Sequence, residues 1–314
     1  MLILNPEIVK EAYSRISGYL INTPLIFSDI LTNELGHNVY LKLDTEQVTG
    51  AFKVRAVLNH LLTLKEQGRL PKKVVAYTTG NHGIALGWAA NLLNIEARIY
   101  VPNYVSEYKL KLIRQNSVEL ICTSNRQEAE EKTLSDGKNG FYYLHPSDSD
   151  YSIAGAGTMC YEALQENPNI DTIFASCGGG GLLAGSYLAK ELVNQKALLF
   201  GVEPKNANDA HISIKTGKIF RLSESPETIA DGLKTLSVSN RTFNYLQKLE
   251  DILLVEEEKI QYWTEYCINK LQIQAEPSCA ISISAAYDWG RRHNWQEDKK
   301  NILILISGKN YQTY

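Results

Sequence analysis

The sequence predicts an α/β protein in which helices cover both faces of mostly parallel sheet. Two features carry that expectation. Short β-rich runs alternate with helix-length segments along nearly the whole chain, and the turns between them contain Gly or Asn. The length, 314 residues, suits one large two-layered domain or two closely joined ones, with room for a full core.

Strands are expected at 39–44, 74–78, 97–101, 118–123, 172–177, 198–202, 252–255 and 302–306. Helix-length segments lie between them, such as 83–94 and 256–271. The latter opens on Glu256, Glu257 and Glu258, which suit the positive end of a helix dipole. In sheets of this kind a ligand sits beyond the carboxyl ends of the strands. The chemistry should therefore be sought in the turns.

Composition narrows the partners. A formal net charge of −3 gives no electrostatic reason to expect nucleic acid or an anionic membrane. No apolar run approaches the ~20 residues that span a bilayer. The opening MLILNPEIVKEAY has three apolar residues and then charges, unlike a secretion signal. Five cysteines with no C-x-x-C pair read as reduced thiols of a cytoplasmic protein, and the histidines show no metal spacing.

Three turns are unusual. DTIFASCGGGGLLAG is an apolar strand, then Gly178, Gly179, Gly180 and Gly181, then a helix start. Without Cβ atoms the backbone can turn its N–H groups towards an anion, and the helix adds its positive end. A tight turn that binds nothing is the plain alternative. A nicotinamide dinucleotide is a second one, because Gly179-x-Gly181-x-x-Ala184 fits that fingerprint and Glu203 ends the next strand. In the second turn, residues 42–56, Phe52, Lys53 and Arg55 open a probable helix. A lysine at a helix N-terminus among apolar residues is disfavoured as a cation, and a neutral amine suits covalent carbonyl chemistry; taken alone, such a lysine is more often solvated. The third turn, Thr78-Thr79-Gly80-Asn81-His82-Gly83, offers hydroxyls, an amide and free N–H groups at a helix start. That is a seat for a carboxylate, or a simple helix cap.

As an ordered set the turns resemble the fold-type-II pyridoxal-phosphate (PLP) enzymes, specifically the threonine/serine dehydratase and serine racemase group, whose fold is tryptophan-synthase-β-like. The resemblance runs from about Asn22 to Asn310. TGAFKVR is similar to T-G-S-F-K-x-R, whose lysine binds PLP covalently, which implies Lys53 beside Phe52. TTGNHG is similar to the loop that takes the substrate carboxylate, implying Thr78, Thr79, Asn81 and His82, with Asn81 also beside the PLP hydroxyl. HPSDSDYSIAGAGT, residues 145–158, matches a further family segment. Gly178, Gly179, Gly180 and Gly181 match the phosphate loop, and PETIADGL places Gly232 near the ring. Ser307-Gly308-Lys309-Asn310 is similar to S-G-G-N, whose serine faces the pyridine nitrogen.

The resemblance implies a smaller domain at 71–149 set inside a larger one formed by 1–70 and 150–314, and a homodimer. It implies dehydration of a small hydroxy-amino acid such as L-threonine or L-serine to a 2-oxo acid and ammonia, with Lys53 as base. A serine racemase-like activity, a hydroxyaspartate dehydratase and a non-catalytic PLP-binding protein are the alternatives. In the racemases a serine at the position of Thr79 serves the second face of Cα. GVEPKNANDA resembles the racemase-like metal site, with Glu203, the carbonyl of Ala207 and Asp209 as oxygen donors for Mg²⁺, Mn²⁺ or Ca²⁺. Arg126 falls where the racemases hold an arginine near the substrate carboxylate; an exposed helix arginine is the alternative. Ala51, Ala56, Asp44 and Lys309 depart from the pattern, and Lys309 introduces a cation that either suits an acidic substrate such as 3-hydroxyaspartate or simply points to solvent.

Overall fold

A computed structural model describes residues 3–293 and 296–312. The chain opens with α1 (Glu7–Ile16), a short β1 (Leu25–Phe27) and α2 (Asp29–Leu35). Then β2 (Asn38–Leu43) leads through one 3-10 turn, Asp44–Glu46, to α3 (Lys53–Glu66). Next come β3 (Lys73–Tyr77), α4 (Asn81–Leu93), β4 (Glu96–Pro102), α5 (Glu107–Arg114), β5 (Glu119–Thr123), α6 (Arg126–Lys138) and β6 (Tyr142–Tyr143). The third stretch holds α7 (Asp150–Glu166), β7 (Thr172–Ser176), α8 (Gly181–Val193), β8 (Leu198–Pro204) and α9 (Asp209–Thr216). A second 3-10 turn, Asp231–Leu233, precedes α10 (Asn240–Leu246), β9 (Asp251–Val255), α11 (Glu257–Asn269), α12 (Pro277–Arg292) and β10 (Asn301–Ile306).

The strands form two sheets, ordered β1-β2-β10-β7-β8-β9 and β5-β4-β3-β6. Every pairing is parallel except β1 on β2. All strands of the smaller sheet lie between Lys73 and Tyr143, whereas the larger sheet draws on chain before and after that stretch.

Both faces of the larger sheet are buried, and β10 shows how the sequence achieves this. Its side chains alternate with the period of two that a strand imposes. Leu303 and Leu305 join the core with α7 and α8, while Ile302, Ile304 and Ile306 join the core with α11 and α12. In the smaller sheet Val74 and Ala76 pack towards α4, and Val75 and Tyr77 towards α6.

Each of the eight expected strands is present, with ends shifted by a residue or two. The expectation missed β1, a three-residue antiparallel edge, and β6, only two residues long. Both are too short for alternation to show. Asp44 leaves β2 for the 3-10 turn because its carboxylate binds Arg55. The expected helix 83–94 starts earlier, at Asn81, and ends at Asn94 in the left-handed conformation (φ 54°).

Candidate active site

The loops at the carboxyl ends of strands from both sheets meet around a cavity of about 240 Å³. The start of α3, the β3–α4 turn, residues 145–147, the β7–α8 turn, residues 232–239 and Ser307 all face it.

Lys53 is the first residue of α3, and the chain just before it is clamped by the end of β10. The Phe52 N–H donates to the Ser307 carbonyl at 2.9 Å, Ala51 bridges Gly308, and the Lys309 N–H donates to the Gly50 carbonyl at 2.9 Å. The Lys53 ammonium donates to the Pro146 carbonyl at 3.0 Å and lies 5.0 Å from the centre of the Phe52 ring. Burial without a counter-charge pushes it down to about 8. Two imidazoles nearby are held neutral. Burial, and then the neighbouring Lys53, push His82 down to about 3, while its Nε2 donates to the Leu144 carbonyl at 3.0 Å. Burial pushes His145 down to about 4, and its Nδ1 accepts from the N–H groups of Ser147 and Asp148.

The glycine turn is closed over by Ser147. A Cβ on Gly179 would lie 2.4 Å from the Ser147 Oγ, and Gly180 has φ +81°. The turn ends on the first residue of α8, whose free N–H groups and dipole suit a phosphate. The dinucleotide alternative fails on Glu203. Its carboxylate is buried and accepts from the N–H groups of Ala210 (3.1 Å) and His211 (2.8 Å), so it presents nothing to a ribose.

In the β3–α4 turn the Thr78 hydroxyl accepts from the N–H of Gly80 (3.0 Å) and of Gly83 (3.4 Å). The Thr79 hydroxyl donates to the Asp231 carbonyl at 3.4 Å. Gly80 has φ +154°, and a Cβ there would sit 2.4 Å from the Cδ of Lys109. Only glycine lets that lysine pass beneath the turn, where its ammonium meets Asp231 (2.5 Å) and Glu276 (3.8 Å). Asn81 donates to Glu276 at 2.7 Å and accepts from Asn310 at 2.8 Å. Burial lifts the Glu276 carboxyl to about 7. Lys109, Asp231, Glu276 and Ser147 were missed in the sequence; Glu276 showed only a helix-start signal, preceding Pro277.

Arg126, the first residue of α6, faces the cleft, lies 5.5 Å from the Tyr77 ring centre and donates to the Lys234 carbonyl. It is therefore not a solvated helix arginine. Gly232 donates its N–H to the Ser278 hydroxyl at 2.9 Å, and Ser307 is buried against the cavity. Lys309 does not line the cleft; it pairs with Glu46 at 3.5 Å, so an acidic substrate gains nothing from it.

Glu203, Ala207 and Asp209 are gathered and buried at the end of β8. One Asp209 oxygen accepts from the Thr235 hydroxyl at 3.3 Å and the other has no partner. Burial drives the Asp209 carboxyl up to about 7; burial and the nearby Asp209 drive Glu203 upwards too. Two desolvated carboxylates with an orphaned oxygen fit a hard dication. Among the described residues no three His, Cys, Asp or Glu side chains form a metal cluster, so such a site would lean on the carbonyl.

Residues 16–308 match the family model described as pyridoxal-phosphate dependent enzyme. The serine racemase of Bos taurus is 31% identical over 96% of this chain and 91% of its own. The L-threo-3-hydroxyaspartate ammonia-lyase of Saccharomyces cerevisiae is 32% identical over 96% and 92%. Among solved structures, maize serine racemase superposes with a TM-score of 0.92 at 30% identity, covering 99% of this chain and 95% of that one. A buried lysine of lowered basicity, a glycine cradle at a helix N-terminus and a family match over nearly the full length agree: the chain belongs to the pyridoxal-phosphate dependent enzymes.

Proposed function

We propose that this protein acts at the Cα of a small β-hydroxy-amino acid, inverting it as serine racemases do and, in competition, eliminating its hydroxyl to give a 2-oxo acid and ammonia. PLP, when bound, supplies the electron sink that makes the Cα proton removable. Lys53 anchors it and takes that proton as general base; an amine that loses its own proton near 8 is well matched to neutral pH. The N–H groups of the glycine turn would hold the phosphate, and Phe52, Asn81, Gly232 and Ser307, which face the same cavity, would hold the rest of the cofactor, with Asn81 at its hydroxyl and Ser307 at its nitrogen. Thr78, His82 and Arg126 shape the seat of the substrate carboxylate. Residues 71–149 form a smaller domain over this site, and the protein works as a homodimer in the cytoplasm; no helix among the described residues is long and apolar enough to cross a membrane. Glu203, the Ala207 carbonyl and Asp209 hold Mg²⁺, Mn²⁺ or Ca²⁺.

The Thr79 methyl restricts its side chain, which favours elimination. The observation that favours inversion beside it is the Thr79 hydroxyl itself, present in the cleft with Lys53 and donating to the Asp231 carbonyl. Several curated relatives named serine racemase support that reading. L-serine, L-threonine and 3-hydroxyaspartate are assayed for oxo acid and, by chiral chromatography, for the inverted product. Inversion should fall about 10²-fold in Thr79→Ala while elimination falls less. Oxo acid with no inverted product would leave a dehydratase; neither product would refute the reading.

A further inference from the structure

The Asn81 side-chain amide is held from both sides. Its oxygen accepts from the Asn310 side-chain nitrogen at 2.8 Å, and its nitrogen donates to the Glu276 carboxylate at 2.7 Å. Which end is which follows from the partners. The Asn310 nitrogen also donates to the Thr49 main-chain carbonyl at 2.9 Å, and a carbonyl can only accept. Asn310 therefore keeps its nitrogen between Thr49 and Asn81, which obliges Asn81 to turn its oxygen that way. The main chain secures both partners. Gly50 (φ +68°) leaves room for Asn310, since a Cβ there would lie 2.7 Å from the Asn310 side-chain oxygen. The Glu276 N–H donates to the Gly308 carbonyl at 3.0 Å.

The two ends of the amide face different ways. Glu276, beside the nitrogen, lines the cleft; Asn310, beside the oxygen, is buried and does not. Beyond its bond to Glu276 the Asn81 nitrogen keeps one N–H. We infer that Asn310 and Glu276 are positioning residues that lock Asn81 as a hydrogen-bond donor to the PLP ring hydroxyl, and so hold that hydroxyl ionised. A donor favours the charged oxygen, whereas a reversed amide would offer its own oxygen and favour the protonated form. This rests on the active-site reading above and adds the two residues, remote in sequence, that set the direction of that bond.

The balance between ionised and protonated hydroxyl is read on the PLP-loaded protein, at fixed pH, as the ratio of visible to near-ultraviolet absorbance. Asn310→Asp is nearly isosteric, yet it presents only acceptors to Asn81. It should turn the amide round and lower the ratio at least about tenfold, the equivalent of one pKa unit. Asn310→Ala leaves Glu276 to hold the nitrogen and should lower the ratio less. Glu276→Met removes the acceptor on the other side and should lower it several-fold, which carries the test if Asn310→Asp does not fold. A native ratio in both Asn310→Asp and Glu276→Met overturns the inference. So does a larger loss in Asn310→Ala than in Asn310→Asp, because a packing role favours the isostere. Borohydride trapping of PLP on Lys53 reports separately on the active-site reading. A native protein that traps none there refutes the reading; one that does, with unmoved ratios in the variants, refutes only this inference.

Discussion

Lys53 illustrates how one residue's surroundings set its chemistry. Its amine has a carbonyl and an aromatic face for company and no carboxylate, so burial lowers it from near 10.5 to about 8. Between those values the unfolded chain keeps a proton that the folded chain has released. The fold is therefore penalised below pH 8, and the penalty fades as pH rises through the window. Lys53→Met should raise the melting temperature of the cofactor-free protein at pH 7, with a gain that shrinks towards pH 10. A gain independent of pH would mean that the amine is not desolvated. Ser307 offers a second residue-scale test. A hydroxyl cannot hold a proton on a pyridine nitrogen as a carboxylate does. Ser307→Asp should slow elimination and change the visible spectrum on substrate addition; an unaltered spectrum would place Ser307 away from the ring.

The glycine turn and the ionic cluster behind Lys53 act as elements. Gly179→Ala drives a Cβ into the Ser147 hydroxyl, so PLP affinity should fall by about tenfold or more. Adding Ser147→Gly should recover much of it; no recovery would locate the fault in the turn's own backbone. Behind α3, Arg55 binds Asp44 at 2.6 and 2.9 Å and Glu162 at 2.6 and 2.9 Å, all fully or nearly fully buried, and Lys42 joins Glu162 at 2.8 Å. Removing the guanidinium strands the Asp44 carboxylate and leaves Glu162 to Lys42 alone, so Arg55→Ala should cost about 3–5 kcal/mol in denaturant unfolding. A cost below about 1 kcal/mol would mean that the cluster relaxes or admits water. At the end of β8, chelation should lower the melting temperature and Mg²⁺ or Mn²⁺ restore it, by mass action. Glu203→Gln should abolish that response; a native protein indifferent to chelator would leave Glu203 and Asp209 as a proton-sharing pair.

At the scale of the whole molecule, the difference between what the sequence disclosed and what it hid is a matter of range. The strands, the glycine turn, the Thr78–His82 turn and the Lys53 helix start are local patterns, and the structure brings them to one cavity. The partners that complete that cavity are remote in sequence. Lys109 meets Asp231 across 122 positions, and Asn81 meets Glu276 across 195. No spacing rule reaches that far; only the docking of one sheet beside the other makes these contacts. Lys309 shows the converse. Its neighbour Ser307 lines the cavity, yet the antiparallel bridge at Gly308 turns the next residue out towards Glu46. The central claim is that this assembly of distant segments presents one lysine to the cofactor. Borohydride reduction of the PLP-loaded protein, followed by peptide mapping, tests it most directly: the account predicts a single PLP adduct on Lys53, lost in Lys53→Ala, whereas an adduct on any other lysine would contradict it.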